Sequence, residues 1–429
     1  MNKTMNKRAL SSVAVAALWA CAVPAQADPL ALRLSETVSY DSNYARNATD
    51  QAEVISSTGV GLTFNKLYGR QNYFASGKFD VNKHKNFKEQ DNNSYDVDGR
   101  FVSEIASNWA LSVNGSSSRR LNSVENNPLN QRLSKNELSQ HDAGLNLQYG
   151  VAGRWSLLGS LGASRTSYSL DSFDYQNRDQ SSGGLRLVYN TSDLLSFGFG
   201  VSAANNEYPN QIVAGVPEEV KQRSIDFSTN YQATGSSRLN GILSYAKNKY
   251  KSDAAANFKG FTGRLNWDYK PGGATTYNLG LSRSTNNDGS GTGLRNNVYY
   301  QDIVETGPGT AELVKRYIDT SYQTVTTSLD GKVRWAPTAK LGFNANVGWD
   351  LYKVKKSYSV ASTLSGETSS RYRVFGLSAD YQYSRAIAMG CSVQQYKQGA
   401  ESNPGVSNGV PRVAFDGQTV SCNASFTID

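Results

Sequence analysis

The stretch Phe261–Arg283 reads FTGRLNWDYKPGGATTYNLGLSR, and its alternation decides the fold class. Phe261, Gly263, Leu265, Trp267 and Tyr269 fall on one side of an extended strand; Thr262, Arg264, Asn266, Asp268 and Lys270 fall on the other. Side chains of a strand alternate faces at period two, so one face is apolar and the other polar and charged. Lys270-Pro271-Gly272-Gly273 then reverses the chain. The return strand repeats the pattern, with Tyr277, Leu279 and Leu281 on one face and Asn278, Gly280 and Ser282 on the other. A soluble sandwich alternates in the same way. The two folds differ in how often the unit recurs and in what joins one unit to the next.

Eight short reversals (near 65–70, 106–108, 150–153, 190–193, 233–236, 270–273, 336–338 and 384–385) alternate with nine longer polar segments, Asn206–Val220 and Asn286–Asp319 among them. This alternation requires eighteen strands with both termini on the short-turn side. Outer-membrane barrels sort their connections in this way, with short periplasmic turns and long extracellular loops, whereas a soluble sandwich has no reason to. The predicted fold is all-β, a transmembrane antiparallel barrel over 28–429. Asn286–Asp319, the longest loop, is the candidate for an inward-folded constriction.

The start of the chain reads as a signal peptide over 1–27. Lys3, Lys7 and Arg8 make a positive region, Val13–Ala20 an apolar core, and Ala25-Gln26-Ala27 a cleavage site. Cys21 follows Leu18-Trp19-Ala20, which resembles a lipoprotein signal, but Trp19 fits poorly there, so cleavage is placed after Ala27. Losing three basic residues takes the formal charge from +8 to +5. Only 38% of the residues are apolar, low for a large globular core and suited to a thin apolar skin around a polar lumen. After the signal peptide no apolar run is long enough for a transmembrane helix.

Parity assigns the faces. Val60, Leu62, Leu145, Leu147, Phe197, Phe199, Phe343, Val347 and Leu377 share the apolar side, with Trp109, Trp155, Trp267 and Trp335 near strand ends as girdle residues. The candidates for the lumen are Arg264, Asn266, Asp268, Asn278, Asp330, Lys332, Arg334, Asn344, Asn346 and Asp350. Both signs of charge are present, and a barrel of this size is wide enough for an aqueous channel. Lys83, Lys85, Lys247, Lys249, Lys353, Lys355, Arg371 and Arg373 continue the apolar face at the long-loop ends. They point outward above the apolar band, where lipopolysaccharide phosphates would meet them. The basic balance is therefore weak evidence for an anionic cargo.

Cys391 and Cys422 are the cysteines left after cleavage, in an oxidising compartment. A register pairing them also pairs Val393 with Val420, Met389 with Ala424 and Ile387 with Phe426, all on the apolar face, so a disulfide is expected. His84 and His141 sit in no metal spacing and read as surface residues. Asp288-Gly289-Ser290-Gly291 lacks the ligand series of a calcium loop. No catalytic constellation, cofactor motif or metal site is evident, and an enzyme is the last of the readings.

The N-terminal LSETVSYDSNYAR, followed by KLYGRQNYFASGKFDVNKHKNF and SNWALSVNGSSSRRLNS, resembles the exopolysaccharide-biosynthesis outer-membrane proteins of the EpsL type. The family pattern has a strand ending in Asp-x-Asn, here Asp41-Ser42-Asn43, with Arg46 shortly after. A second element is Tyr68-Gly69-Arg70-Gln71 with Phe74. Where the family often has Leu-Phe after the Asn, this chain has Tyr44-Ala45. The resemblance covers roughly residues 30–125. It implies a barrel serving surface polysaccharide production, with the polymer, outer-membrane lipid and periplasmic export proteins as partners and no role for nucleic acid. The rival readings are a general diffusion or sugar-uptake porin and a structural, adhesin-like surface barrel.

Overall fold

The computed structural model describes residues 29–428 except 107, 124–132, 152, 214–215, 252–256, 286–296, 308–309, 359–365, 401 and 403–413. The signal segment 1–27 and the Asp288–Gly291 stretch lie outside the described residues. Among the described residues nineteen strands follow in order. The first ten are β1 (Leu30–Asp41), β2 (Glu53–Tyr68), β3 (Gln71–His84), β4 (Asn92–Ile105), β5 (Trp109–Leu121), β6 (Glu137–Tyr149), β7 (Trp155–Tyr168), β8 (Arg178–Ser192), β9 (Leu195–Val213) and β10 (Val216–Thr234). The rest are β11 (Ser237–Tyr250), β12 (Phe258–Tyr269), β13 (Thr275–Thr285), β14 (Asn297–Gly307), β15 (Thr310–Trp335), β16 (Leu341–Tyr358), β17 (Gly366–Gln382), β18 (Ile387–Gln398) and β19 (Phe415–Ile428).

Each strand pairs antiparallel with its neighbour, and β1 pairs with both β2 and β19, as in Leu34↔Val60 and Leu34↔Phe426. The sheet therefore closes on itself and leaves no free edge, which satisfies the backbone internally as lipid requires. β13 pairs with Val325–Trp335 of β15, and β14 pairs only with the first ten residues of β15, Thr310–Asp319. The wall thus holds eighteen of the strands, and β14 lies outside it. Among the described strands, eight of the nine connections on one side span seven residues or more and the ninth, β9 to β10, is two residues at the tip of a long hairpin, whereas the eight on the other side span two to five.

Two segments depart from the sequence expectation. Asn206–Val220, expected as a loop, is mostly strand, because β9 and β10 run on past the barrel and pair from Tyr208↔Glu218 to Val213↔Val216. The register slips between Pro217 and Glu218, leaving residues 209–211 unpaired, and Pro209, which has no N–H to donate, sits in that bulge. The Asn286–Asp319 segment was expected to fold inward as a constriction. Its described part forms the β14–β15 hairpin, built on the first ten residues of a 26-residue strand.

The outward face is an apolar band. Leu161, Phe199, Ile225, Phe261, Leu279, Val347 and Phe375 are all exposed in the chain by itself, which marks the surface that lipid covers. At the short-turn end this band is edged by paired aromatics. Trp109 lies 4.8 Å from Tyr149, Trp155 4.6 Å from Tyr189 and Trp335 5.4 Å from Phe343, centroid to centroid. At the long-loop end the same parity carries Lys and Arg. About ten residues separate the two edges, from Trp109 to Arg119 on β5 for example, which matches the hydrocarbon span of a tilted strand.

Cys391 and Cys422 face each other in the β18–β19 register and are joined by a disulfide. The same register sets Val393 against Val420, Met389 against Ala424 and Ile387 against Phe426. All four pairs share the outward face.

Candidate functional site: the lumen and its outer mouth

The ten sequence-predicted lumen residues lie on four strands, β12, β13, β15 and β16, which are neighbours in the wall. Register lines them up in rows. One runs Asp268↔Asn278↔Lys332↔Asn346 and the next Asn266↔Gly280↔Asp330↔Gly348. All share the face opposite the apolar band. Their side chains bond to one another: Asn278 Nδ2 donates to Asp268 at 2.5 Å, and Arg334 donates to Asn344 at 3.2 Å. Arg334 also donates two bonds of 3.0 Å to Asp380 on β17, an acid of the same inner face that is not among the sequence candidates.

These groups stay wet. The Arg334 and Asp380 side chains keep 45% and 46% of their surface, and Arg264, Asp330 and Lys332 are exposed. On the other walls the inward Lys78, Asp96, Arg100, Asn114 and Ser116 are exposed too. Polar side chains on an inner face keep such exposure when the lumen is hollow at mid-height. Among the described residues no three of His, Cys, Asp and Glu converge to hold a metal ion.

The same inner face is packed at the long-loop end. Asp41, Glu53, His84, Asn92, Asn206, Asn248 and Tyr396 are buried there. Three side-chain devices stand out there. The first spans the seam where β1 meets β19. The Tyr396 hydroxyl donates to Asp41 Oδ1 at 2.6 Å, and Arg46 pairs with Asp41 at 2.8 Å while its guanidinium lies 3.9 Å from the Tyr396 ring centre. Arg46 donates to the Tyr396 hydroxyl and to Asn43 O. Asn43 Nδ2 donates to Asp416 O at 2.9 Å, tying the turn to β19. Arg46 adopts φ 51°, a left-handed conformation that is costly for a side-chain-bearing residue and is held here by these bonds. The Asp-x-Asn…Arg motif is thus a latch across the closing seam.

The second device is Glu53, which has no exposed surface. Its carboxylate accepts from the backbone N–H groups of Lys85 at 2.9 Å, Asn86 at 3.0 Å and Phe87 at 2.7 Å. A buried carboxylate is stable only with such donors, so this cradle fixes the loop after β3. Tyr44 stacks on Phe87 with centroids 5.5 Å apart and shares a 3.2 Å hydrogen bond with His84 Nε2. Burial, with the Glu53 and Asp41 charges next, pushes the Tyr44 hydroxyl far up its range. His84, expected at the surface, is therefore buried, because its even parity turns it inward beneath the loops. His141 is exposed on the outer face and bonds Ser117 Oγ at 2.9 Å. The third device repeats the second: Glu218 Oε1 accepts from Lys251 N at 3.0 Å.

Further bonds run from loop to loop. Gln90 donates to Leu133 O, Lys135 to Asp91 O at 2.7 Å, and Leu170 N to Asn136 Oδ1 at 3.3 Å. The outer mouth is thus gathered and fixed, while the lumen below it is open to water.

Among the described residues the outward basic rim divides into paired and unpaired cations. Lys83 pairs with Asp91 at 2.9 Å and Lys353 with Glu367 at 3.7 Å. Lys247, Lys249, Lys355, Arg371 and Arg373 are exposed, with Arg373 5.6 Å from the Trp349 ring centre. Lys85 lies just past β3, exposed. Sequence reasoning omitted Arg119, which pairs with Glu137, and Lys221, Arg223 and Lys259. Strand parity carries that signal for each of them.

Residues 65–389 match the family model described as "Putative outer membrane beta-barrel porin, MtrB/PioB". No curated protein matches the chain. Among solved structures, a mutant of the ferric enterobactin receptor PfeA from Pseudomonas aeruginosa is similar at 12% identity, with a TM-score of 0.46, covering 95% of this chain and 81% of that one. The siderophore receptor PirA from Acinetobacter baumannii is similar at 9% identity and a TM-score of 0.43, with 95% and 81% covered. The FrpB iron transporter from Neisseria meningitidis follows at 9% and 0.42, with 93% and 81% covered.

Proposed function

The chain belongs to the MtrB/PioB family of outer-membrane β-barrel porins, and we propose that this member is a conduit through which exopolysaccharide crosses the outer membrane. The observation that carries the reading is the hydrated ladder on the inner face of β12 to β17, where Asn266, Asp268, Asn278, Lys332, Arg334, Asn344 and Asp380 form continuous rows. A hydrated polymer needs a path lined by hydrogen-bonding groups, because each hydroxyl left unpaired costs several kcal/mol. Asn amides and both signs of charge supply donors and acceptors without selecting for an anion. The likeness of residues 30–125 to polysaccharide-locus barrels supports the choice of cargo.

The mouth fits the same role. A conduit for a chain needs a wall that holds its shape while the polymer slides, and the latches at Asp41, Glu53 and Glu218 fix the loops over that end. Deleting the gene in its host and quantifying secreted polymer tests the proposal. A large fall, restored by the wild-type gene, is expected; normal secretion from the deletion strain would overturn it.

A further inference from the structure

On the outer face a groove of about 900 Å³ runs across β6 to β11. Its floor is made of small residues, Gly159, Gly183 and Ala203. Leu145, Leu161, Leu185 and Ile225 wall it, so it is almost wholly apolar along its length. A Cβ at Gly183 would meet Leu161 Cδ2 at 3.4 Å, an ordinary contact, so a side chain added there would fill the groove. Arg223 and Lys247 complete the lining on the long-loop side, the side of the outer leaflet.

Those two cations belong to a cluster. Register sets Arg223 directly against Lys247, Lys247 against Lys259 and Lys221 against Lys249. All five are exposed and share the outward parity of Ile225, Tyr245 and Phe261. Among the described residues Lys221 pairs with Glu219 at 3.2 Å, and the other four form no ion pair. Like charges directly opposed across strands repel and destabilise a sheet. Elsewhere on the rim Lys83, Arg119, Arg165 and Lys353 are each neutralised by an acid; Lys355, Arg371 and Arg373 form no ion pair among the described residues, but they do not border this groove. An arrangement that concentrates repulsion at the head of an apolar groove is relieved by a bound anion carrying hydrocarbon.

We infer that this face of β6 to β12 is a binding site for one phosphorylated, multiply acylated glycolipid of the outer leaflet. Its phosphates sit among Arg223, Lys247, Lys249 and Lys259, and an acyl chain lies over Gly159, Gly183 and Ala203. The groove volume falls within the range of roughly 300–1,000 Å³ that bound small molecules occupy. Phosphate bonds to Arg and Lys gain strength at the membrane boundary, where water is scarce. The site lies outside the lumen and does not depend on the cargo.

The test is native mass spectrometry of the whole barrel in mild detergent, titrated with bisphosphorylated lipid A. Its dephosphorylated form and phosphatidylglycerol serve as competitors. One lipid A per barrel is expected, weakened at least tenfold in Arg223→Gln/Lys247→Gln and in the groove-filling variant Gly183→Leu/Ala203→Leu. Ala203→Leu alone is the milder filling, should the double variant fold poorly. Lys355→Gln/Arg371→Gln, which removes rim cations from β16 and β17, is expected to bind as wild type. The site is refuted if that control loses as much lipid as the Arg223/Lys247 pair, if phosphatidylglycerol displaces lipid A at equal concentration, or if wild type binds none.

Discussion

The Tyr396 hydroxyl donates a 2.6 Å hydrogen bond to the Asp41 carboxylate, joining residues 355 positions apart across the seam that closes the barrel. Asp41 ends the first strand of the wall and Tyr396 lies near the end of the penultimate one. Arg46 binds both partners, so an acid, a phenol and a guanidinium share one buried site at the outer mouth.

Tyr396→Phe keeps the ring under Arg46 and removes the hydroxyl, leaving a buried carboxylate one donor short. The expected cost is about 1–3 kcal/mol. Asp41→Ala costs more, since it strands the Arg46 charge. The temperature at which the folded barrel loses its fast migration in detergent gels, or its strand circular dichroism, reads the loss. Unfolding of Tyr396→Phe together with wild type would show that the seam does not depend on this bond.

The Cys391–Cys422 bond joins neighbouring strands whose cysteines are 31 positions apart. Loop-closure entropy assigns such a link about 3–4 kcal/mol, felt in the unfolded chain. Replacing both cysteines with Ser lowers the denaturant midpoint of the purified barrel by a corresponding amount. Thiol labelling of the denatured, unreduced mature protein yields no free thiol if the bond forms in the envelope, and two free thiols if it does not.

Much of the wall was legible because its signal is local. Alternation in Phe261–Tyr269 and Tyr277–Leu281 fixes which residues meet lipid, and loop length fixes which end faces outward. The register of the last hairpin followed from matching Ile387, Met389, Cys391 and Val393 to their partners. The mouth was not legible, because its contacts join distant residues: nothing near Glu53 shows that its carboxylate will hold the N–H groups of Lys85 to Phe87. His84 carries the same local pattern whether its strand end is open to water or roofed by a loop. The extended β9–β10 hairpin was hidden because Asn205-Asn206-Glu207-Tyr208-Pro209-Asn210 breaks the apolar alternation where the strands leave the membrane.

Asp91, between β3 and β4, gives the mouth a pH dependence. Burial opposes its charge, but the backbone N–H of His84 and the Lys83 ammonium outweigh that and hold its pKa below the usual carboxylate value. The folded protein therefore binds this proton less readily than the unfolded chain does. Its contribution is present above the ordinary Asp range and is lost as pH falls from about 4 through the lower folded value. Protease nicking of the loop over 85–91 rises over that window in wild type. In Asp91→Asn the nicking is already raised at neutral pH and changes less. Equal pH profiles for the two proteins would contradict the assignment.

The lumen is expected to conduct ions in planar bilayers. Gly280 is the place to narrow it. A side chain there meets Asn266 Oδ1 at 3.4 Å and nothing closer, whereas one at Gly342 would meet Arg334 and Asp380 at 2.7 Å and one at Gly348 would meet Val374 at 2.7 Å. Gly280→Trp with Ser328→Trp lowers single-channel conductance while the barrel stays folded. A wild-type barrel that conducts nothing would mean a plugged lumen.

The most direct measurement is polymer secreted by a deletion strain carrying a narrowed barrel. Asn114→Trp and Ser116→Trp are added to Gly280→Trp and Ser328→Trp, so that bulk projects from opposite walls. The protein is verified as folded and present in the outer membrane. Secretion at or near the level of the deletion strain is the result the conduit predicts; secretion equal to that of the wild-type barrel would contradict it.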